Sequence, residues 1–438
     1  MTGLTVGFSR RDITPPLGVP NVLGVTCFVE EIWDPLYVTA AVLNHGAERA
    51  VIIGTDQCVF YQAPHRMFSN AVSTALGVPL ERVVLNTSHT HSAPVIGTEL
   101  QEIMDPYGIK VIDLDYVEYL KQQIVAAAKE AAEHPKPARL QVGHGHVERV
   151  GSNRRPKLPD GKTVHRYGQP PEELRVLPEG LIDPEVLVVR VGDLDGRPLG
   201  AFVNYACHPT AAGGSCHGWV SADYVGVGSR QTEAALGGAP CLFLQGCAGN
   251  IGTGKWVTGN PRRDMEDMGR RFAEGALQAL QGVEPITVNS LSMTNQDVPM
   301  TLDPFPSWEE LKRGLEENIK ANDWMMIAYG DAMVLSRHLH DFQHARIASI
   351  GLGDLAIVSL PAEVFVEFGM EIKRRSPFRH TLVCAYNDNS LQYIPTASAY
   401  PEGEFEVDGG WRYVVAGEGE KLQNNAVQML MELKVHQA

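Results

Sequence analysis

Short apolar runs recur along the whole chain and alternate with stretches of helical spacing, which restricts it to a layered α/β architecture. Residues 37–43 and 50–54 read as paired strands around the turn Asn44-His45-Gly46. A helix is expected over 64–76, closed by Gly77. Val117, Leu120, Ile124, Val125 and Ala128 keep helical spacing until Pro135 stops them, and 139–150 then alternates as a strand. Residues 152–182, rich in Pro, Gly and charge, form a long surface loop, a place where function often resides. Strands resume at 186–191, 199–205 and 241–244, with helices over 223–236 and 262–281. A long helical stretch covers 308–339, and 346–350 and 355–359 flank a hairpin turn at Gly351-Leu352-Gly353-Asp354. No internal repeat and no linker is visible. The expected fold is one large mixed-sheet α/β domain spanning 1–438, flanked by helices.

The richest stretch is Asn86-Thr87-Ser88-His89-Thr90-His91-Ser92-Ala93-Pro94, directly after an apolar strand. In extended backbone, residues two apart project to the same side, so His89 and His91 can address one ion, or one can bind while the other moves protons. A pair of solvent-facing loop histidines fits the same spacing. Other polar residues also follow apolar runs: His208 after 201–207 and Glu363 after 357–362. Ligands in open α/β sheets collect beyond strand carboxyl ends. Two or more histidines plus a carboxylate form a common zinc set with a position left for water, and the donor types suit zinc better than magnesium. Taken singly, His208-Pro209 also reads as a turn, and Glu363 as a carboxylate in the first turn of a helix. Asp223 reads equally as a carboxylate orienting a ligand histidine or as a helix N-cap. The glycine-rich loop 245–255 is not a phosphate-binding loop, because Lys255 is followed by Trp256. It suits close approach of backbone to a substrate.

Net charge is −15, which argues against a nucleic-acid partner, since that would want a basic face, and makes attraction to an anionic membrane surface unfavourable. No apolar run is long enough to span a bilayer. The N-terminus lacks a basic segment followed by an apolar run, so a cytoplasmic location is expected. Seven cysteines, with no C-x-x-C pair, read as buried free thiols. The partner expected is a small-molecule substrate, and a homo-oligomer stays open.

The chain resembles the neutral (non-lysosomal) ceramidase family, zinc-dependent amidases that cleave the N-acyl bond of ceramides. The resemblance runs through Gly7-Phe8-Ser9-Arg10-Arg11-Asp12-Ile13-Thr14-Pro15-Pro16, Ser88 to Pro94, Asn153-Arg154, Ala206-Cys207-His208-Pro209-Thr210, Ser221-Ala222-Asp223-Tyr224, the 246–254 loop, Pro361-Ala362-Glu363 and Tyr393-Ile394-Pro395-Thr396. It implies Zn2+ held by His89, His208, Glu363 and Tyr393, with His91 transferring protons and Arg154 polarising the substrate carbonyl. Tyr393 comes from the resemblance alone. Where the family usually carries Asp-Val-Ser, with a serine implicated in hydrolysis, this chain has Asn250-Ile251-Gly252, and the adjacent Thr253 is given no role. The chain also ends soon after Tyr393, so the family's C-terminal β-sandwich domain is expected to be missing.

These departures bear on the substrate more than on the zinc chemistry. The expected reaction is hydrolysis of an amide bond in a small, water-soluble substrate. A ceramidase proper, an esterase or lactonase on the same ion, and a metal-dependent binding protein without catalysis are the alternatives. The basic run Arg154, Arg155, Lys157, Lys162, His165 and Arg166 is expected to cover the zinc and favour a small polar or anionic substrate, although an ordinary solvated loop fits it equally.

Overall fold

The structure is a computed structural model that describes residues 3–22, 27–214, 217–323, 326–339, 343–387, 391–408 and 411–437. Its mixed α/β fold repeats one unit three times, a repetition the sequence does not display. Each unit lays down a first strand, an antiparallel hairpin beside it, a helix, and a strand parallel to the second hairpin strand. In the first unit these strands are Thr5–Asp12, Tyr37–His45, Glu48–Thr55 and Val83–Thr87, with helix Gln62–Leu76 before the last. In the second they are Arg139–His146, Glu185–Gly192, Pro198–Tyr205 and Cys241–Gln245, with helix Asp223–Ala235. In the third they are Leu291–Pro299, His344–Leu352, Leu355–Ser359 and His380–Cys384, with helix Val366–Arg375. A further helix closes each unit: Leu114–Glu133, Pro261–Gln281 and Glu418–Gln437.

The alternation of apolar side chains explains the layering. One face of all three sheets contributes to a single shared core, with Leu43, Ile52 and Val84 meeting Leu187, Phe202, Leu244, Ile350 and Leu382. Successive residues on a strand point to opposite faces. The intervening residues therefore pack outward on each unit's own helices: Val42 and Ile53 on Phe68 and Leu120, Val188 and Val203 on Phe272, Ile347 and Val358 on Ile372 and Leu430. With both faces covered, central strands read as near-continuous apolar runs. Helix ends follow local chemistry. Gly77 closes Gln62–Leu76 with a left-handed φ of 61°, while Asp113 and Asn260 cap the N-termini of Leu114–Glu133 and Pro261–Gln281 with their side chains.

The carboxyl ends of the three parallel strands meet in a ring of hydrogen bonds. Asn86 donates through Nδ2 to the Ala385 carbonyl at 2.5 Å. The Ala385 N–H donates to the Gln245 carbonyl at 2.9 Å. The Gln245 N–H donates back to Asn86 Oδ1 at 2.9 Å. The loops that leave this ring carry the polar residues identified above.

Two expectations change here. The helical stretch 308–339 is two helices, Trp308–Lys320 and Met326–Ser336, packed on each other. Five cysteines are free and buried, as expected, but Cys27 is disulfide-bonded; Cys216 lies outside the described residues. Among the described residues, no helix is long and apolar enough to cross a membrane.

Candidate metal centre

His89 leaves the end of strand Val83–Thr87 in a left-handed conformation, φ 64°, which few non-glycine residues adopt without a compensating constraint. The constraints are its N–H, which donates to the Gln57 carbonyl at 2.9 Å, and its ring Nδ1, which lies 2.9 Å from the Cys58 carbonyl. A carbonyl only accepts, so Nδ1 carries a proton, and in the neutral imidazole that leaves the Nε2 lone pair facing the cluster. His208, after strand Pro198–Tyr205, is held the same way: its Nδ1 lies 2.7 Å from the Ala248 carbonyl and 2.9 Å from that of Ile251. Glu363 follows strand Leu355–Ser359. Its Oε2 sits 3.1 Å from His208 Nε2 and 3.4 Å from His89 Nε2.

All three side chains are buried. Two imidazole Nε2 atoms and a carboxylate oxygen thus converge on one point, a donor set that suits a cation at their centre. Burial alone would raise the Glu363 carboxyl, but His89 and His208 hold it well below its usual range. Burial, then the nearby Arg154, pushes His208 down to about 4. Neutral imidazole and ionised carboxylate are the ligand forms of these groups.

His91 stands at the edge of the cluster. Its Nδ1 is 2.6 Å from the Gly214 carbonyl and its Nε2 is 3.3 Å from His89 Nε2. The ligand atoms of Cys58, His89 and His91 also lie within 4.8 Å of one another, as do those of His89, His208 and Glu363. Burial, then His89 and His208, lower the His91 imidazole well below its ordinary value, so it is neutral near pH 7.

Tyr393 reaches the cluster through strand pairing. Glu363–Val364 runs parallel to Tyr393–Ile394 with Glu363 and Tyr393 in register. Gly249 makes the close packing beneath them feasible: a Cβ there would come within 2.3 Å of the Glu363 carbonyl oxygen.

Arg154 is fully buried beside Tyr393, its guanidinium carbon 5.1 Å from the ring centroid. Its Nε donates to Glu406 Oε1 at 2.6 Å and its Nη2 to the Gly249 carbonyl at 2.8 Å. The basic run around it does not form an open cationic patch. Arg155 binds Glu406 and Glu402, Lys157 binds Glu402, and Arg166 is buried with carbonyls of residues 153, 174 and 177–179. These cations hold the loop in shape, and the loop does reach the cluster: the Tyr167 hydroxyl donates to the Gly214 carbonyl at 2.8 Å and lies 3.1 Å from His91 Nδ1.

Asp223 orients no histidine and caps no helix in the usual way. It is buried with φ 56° and accepts from the N–H groups of Ala211, Ala212 and Tyr224, clamping the segment after His208. Thr253 is buried against Thr210, the two hydroxyl oxygens 2.8 Å apart. Sequence reasoning missed Cys58, Tyr167, Tyr386 and Glu406. No local pattern marks them, because each reaches the cluster only through long-range packing.

The profile of the family described as neutral/alkaline non-lysosomal ceramidase, N-terminal, matches residues 4–251. Neutral ceramidase A of Dictyostelium discoideum is 24% identical over 253 residues, 54% of this chain and 33% of that protein. Neutral ceramidase B of the same organism is 24% identical over 249 residues, 53% of this chain and 32% of that protein. The aligned stretch therefore spans about a third of these curated relatives. The crystal structure of neutral ceramidase from Pseudomonas aeruginosa superposes with a TM-score of 0.76 at 19% identity, covering 100% of this chain and 75% of that one. A ceramidase complexed with C2 gives a TM-score of 0.74 at 19% identity, covering 100% and 76%. At such identity the likeness speaks to the fold, and it bears out the mixed α/β architecture expected from the sequence.

Proposed function

This chain belongs to the neutral/alkaline non-lysosomal ceramidase family, and on that premise we propose that it is a zinc-dependent hydrolase of N-acyl amide bonds. The observation that carries the reading is the convergence of His89 Nε2, His208 Nε2 and Glu363 Oε2, with both Nδ1 atoms committed to carbonyls. These three groups and Tyr393 would hold the ion. When bound, zinc supplies a Lewis acid that lowers the pKa of a coordinated water towards ~7 and polarises the scissile carbonyl.

The remaining steps belong to the chain. His91 is neutral, its Nδ1 is committed to Gly214, and its Nε2 faces the cluster. It takes a proton from the attacking water and returns it to the leaving amine. Burial raises the Tyr393 phenol, and the Arg154 guanidinium opposes that rise. We therefore assign Arg154 chiefly to keeping Tyr393 available as an anion, since its Nε and Nη2 are spent on Glu406 and Gly249.

For the substrate we propose a small, water-soluble N-acyl compound ahead of long-chain ceramide. Only 7% of the residues are aromatic, the net charge is −15, and the loop at Asn250-Ile251-Gly252 offers no serine. The acidic partners of the basic loop remove the support for anion selection. Ceramide itself is the second reading, favoured by family membership. We treat 1–438 as one hydrolase unit, supported by the core its three sheets share. For location, the disulfide at Cys27 argues for an oxidising compartment over the cytoplasm expected from the N-terminal sequence.

Elemental analysis of wild type and His89→Ala tests the ion, and a variant with unchanged zinc content overturns the ligand set. His91→Ala should keep its metal yet lose about 10²–10⁴-fold in rate; comparable metal loss would make His91 a ligand. Measuring kcat/KM for soluble N-acyl amides and for ceramide on one zinc-loaded preparation decides the substrate. Efficient ceramide turnover with none on soluble amides would establish the second reading.

A further inference from the structure

Tyr386 is used by none of the roles above, and its position is unusual on three counts. Its backbone lies at φ 62°, a left-handed conformation that is an outlier for a bulky aromatic residue. The strain is shared by its neighbours at the centre: His89 at 64°, Ala362 at 76° just before Glu363, and Gln392 at 54° just before Tyr393. Residues held in such conformations persist only where the surroundings over-determine them, and they cluster at functional sites. Here the Tyr386 N–H donates to the Ala362 carbonyl at 3.1 Å, and its carbonyl accepts from the Thr87 hydroxyl at 3.2 Å.

Second, the ring lies against both histidines of the cluster, 4.3 Å between centroids from His89 and 5.8 Å from His208. Third, its hydroxyl is buried and has no hydrogen-bond partner among the described residues. A buried tyrosine hydroxyl usually finds a partner. Burial raises its phenol well above the ordinary value, with Glu363, Tyr393 and Cys247 acting in the same direction and Arg154 against it. Ser88 Oγ is also buried without a partner among the described residues, but it lines a separate small cavity of about 30 Å³ with Arg10, Asp56 and Glu233.

We infer that the Tyr386 hydroxyl is the donor that receives the scissile carbonyl oxygen as negative charge develops on it. This rests on the amide-hydrolase reading above. It also adds a donor to that reading, in which Arg154, the residue implied by resemblance, already bonds Glu406 through Nε and Gly249 through Nη2. The step needs no further reactant: the hydroxyl donates a hydrogen bond as the carbonyl is attacked and keeps its proton when the carbonyl reforms.

Tyr386→Phe keeps the ring and removes only the hydroxyl. On a chromogenic N-acyl anilide, kcat and kcat/KM should fall together by about 10²-fold, the scale for loss of one oxyanion donor, with KM unchanged. Zinc content should match wild type. With cobalt in place of zinc, acetohydroxamate titrated by absorption should bind about tenfold more weakly. The metal-free variant should melt no lower than metal-free wild type, since the hydroxyl bonds none of the described residues. Full activity and unchanged hydroxamate affinity would overturn the inference, as would a lower melting temperature of the metal-free variant, which marks a structural role. A wild type that binds no metal and hydrolyses no amide would sink the underlying reading, and this inference with it. A metal-loaded, fully active Tyr386→Phe would sink the inference alone.

Discussion

Asn86 bonds to the strand ends of the other two sheets, and Asn86→Ala measures how much that tie contributes. The residue is fully buried at the end of strand Val83–Thr87. Its Nδ2 donates to the Ala385 carbonyl at 2.5 Å and to Asn387 Oδ1 at 2.7 Å, and its Oδ1 accepts from the Gln245 N–H at 2.9 Å. Truncation strands two backbone groups, the Ala385 carbonyl and the Gln245 N–H, where no solvent reaches the site the side chain filled. At roughly 1–3 kcal/mol for each buried group left unpaired, the loss comes to about 3–4 kcal/mol. A surface substitution stays within about 0.5 kcal/mol. Urea unfolding of the metal-free proteins reads the difference, with an unchanged slope showing that the variant starts from the same fold. Asn86→Asp is the sharper probe. It keeps the acceptor for Gln245 but turns an oxygen towards the Ala385 carbonyl, so at neutral pH it should destabilise at least as much as alanine. It should recover part of the loss in acid, where the protonated carboxyl can donate. A loss below about 1 kcal/mol for Asn86→Ala, or an Asn86→Asp protein of wild-type stability at pH 7, would refute the ring as the tie between sheets.

Glu406→Gln should cost about 3–5 kcal/mol in urea unfolding, because it leaves Arg154 and Arg155 buried without their shared carboxylate; a loss under about 1 kcal/mol would show that the loop holds without that pair. Glu185 is held down to about 2 by its hydrogen bond from His144 and by Lys373. A carboxyl depressed in the folded state adds stability above its ordinary value of 4.5, and that stability is lost as pH falls through about 2. Allowing for its partial exposure, Glu185→Gln should cost about 1–2 kcal/mol at pH 7, and the gap to wild type should close towards pH 2. A gap that stays constant from pH 7 to 3 would rule out the carboxylate as its source.

The elements were legible because they are set by local periodicity. The hairpin at 37–54, the helix ended by Gly77 and the hairpin closed by Gly353-Asp354 all lie near the spans expected. The positions of His89, His208 and Glu363 after strands were legible for the same reason, since a run of apolar residues followed by a polar one is visible without knowing what lies beside it. The repetition of the unit was not legible. Strand pairing and sheet packing constrain only the pattern of apolar and polar residues, so the three copies share topology with no visible likeness of sequence.

Apolar alternation and turn residues thus determined by themselves that this chain builds layered sheets and helices, and which histidines and carboxylate lie at strand ends. Only the tertiary structure decided that those ends converge. Tyr393 enters the centre because its two-residue strand pairs in register with Glu363. Arg154 is paired in the interior with Glu406, 252 positions away. The ring on Asn86, Gln245 and Ala385 draws together loops from all three units. Each of these depends on contacts between residues far apart in the chain, and a hydrogen bond of that kind leaves no trace in the residues next to either partner.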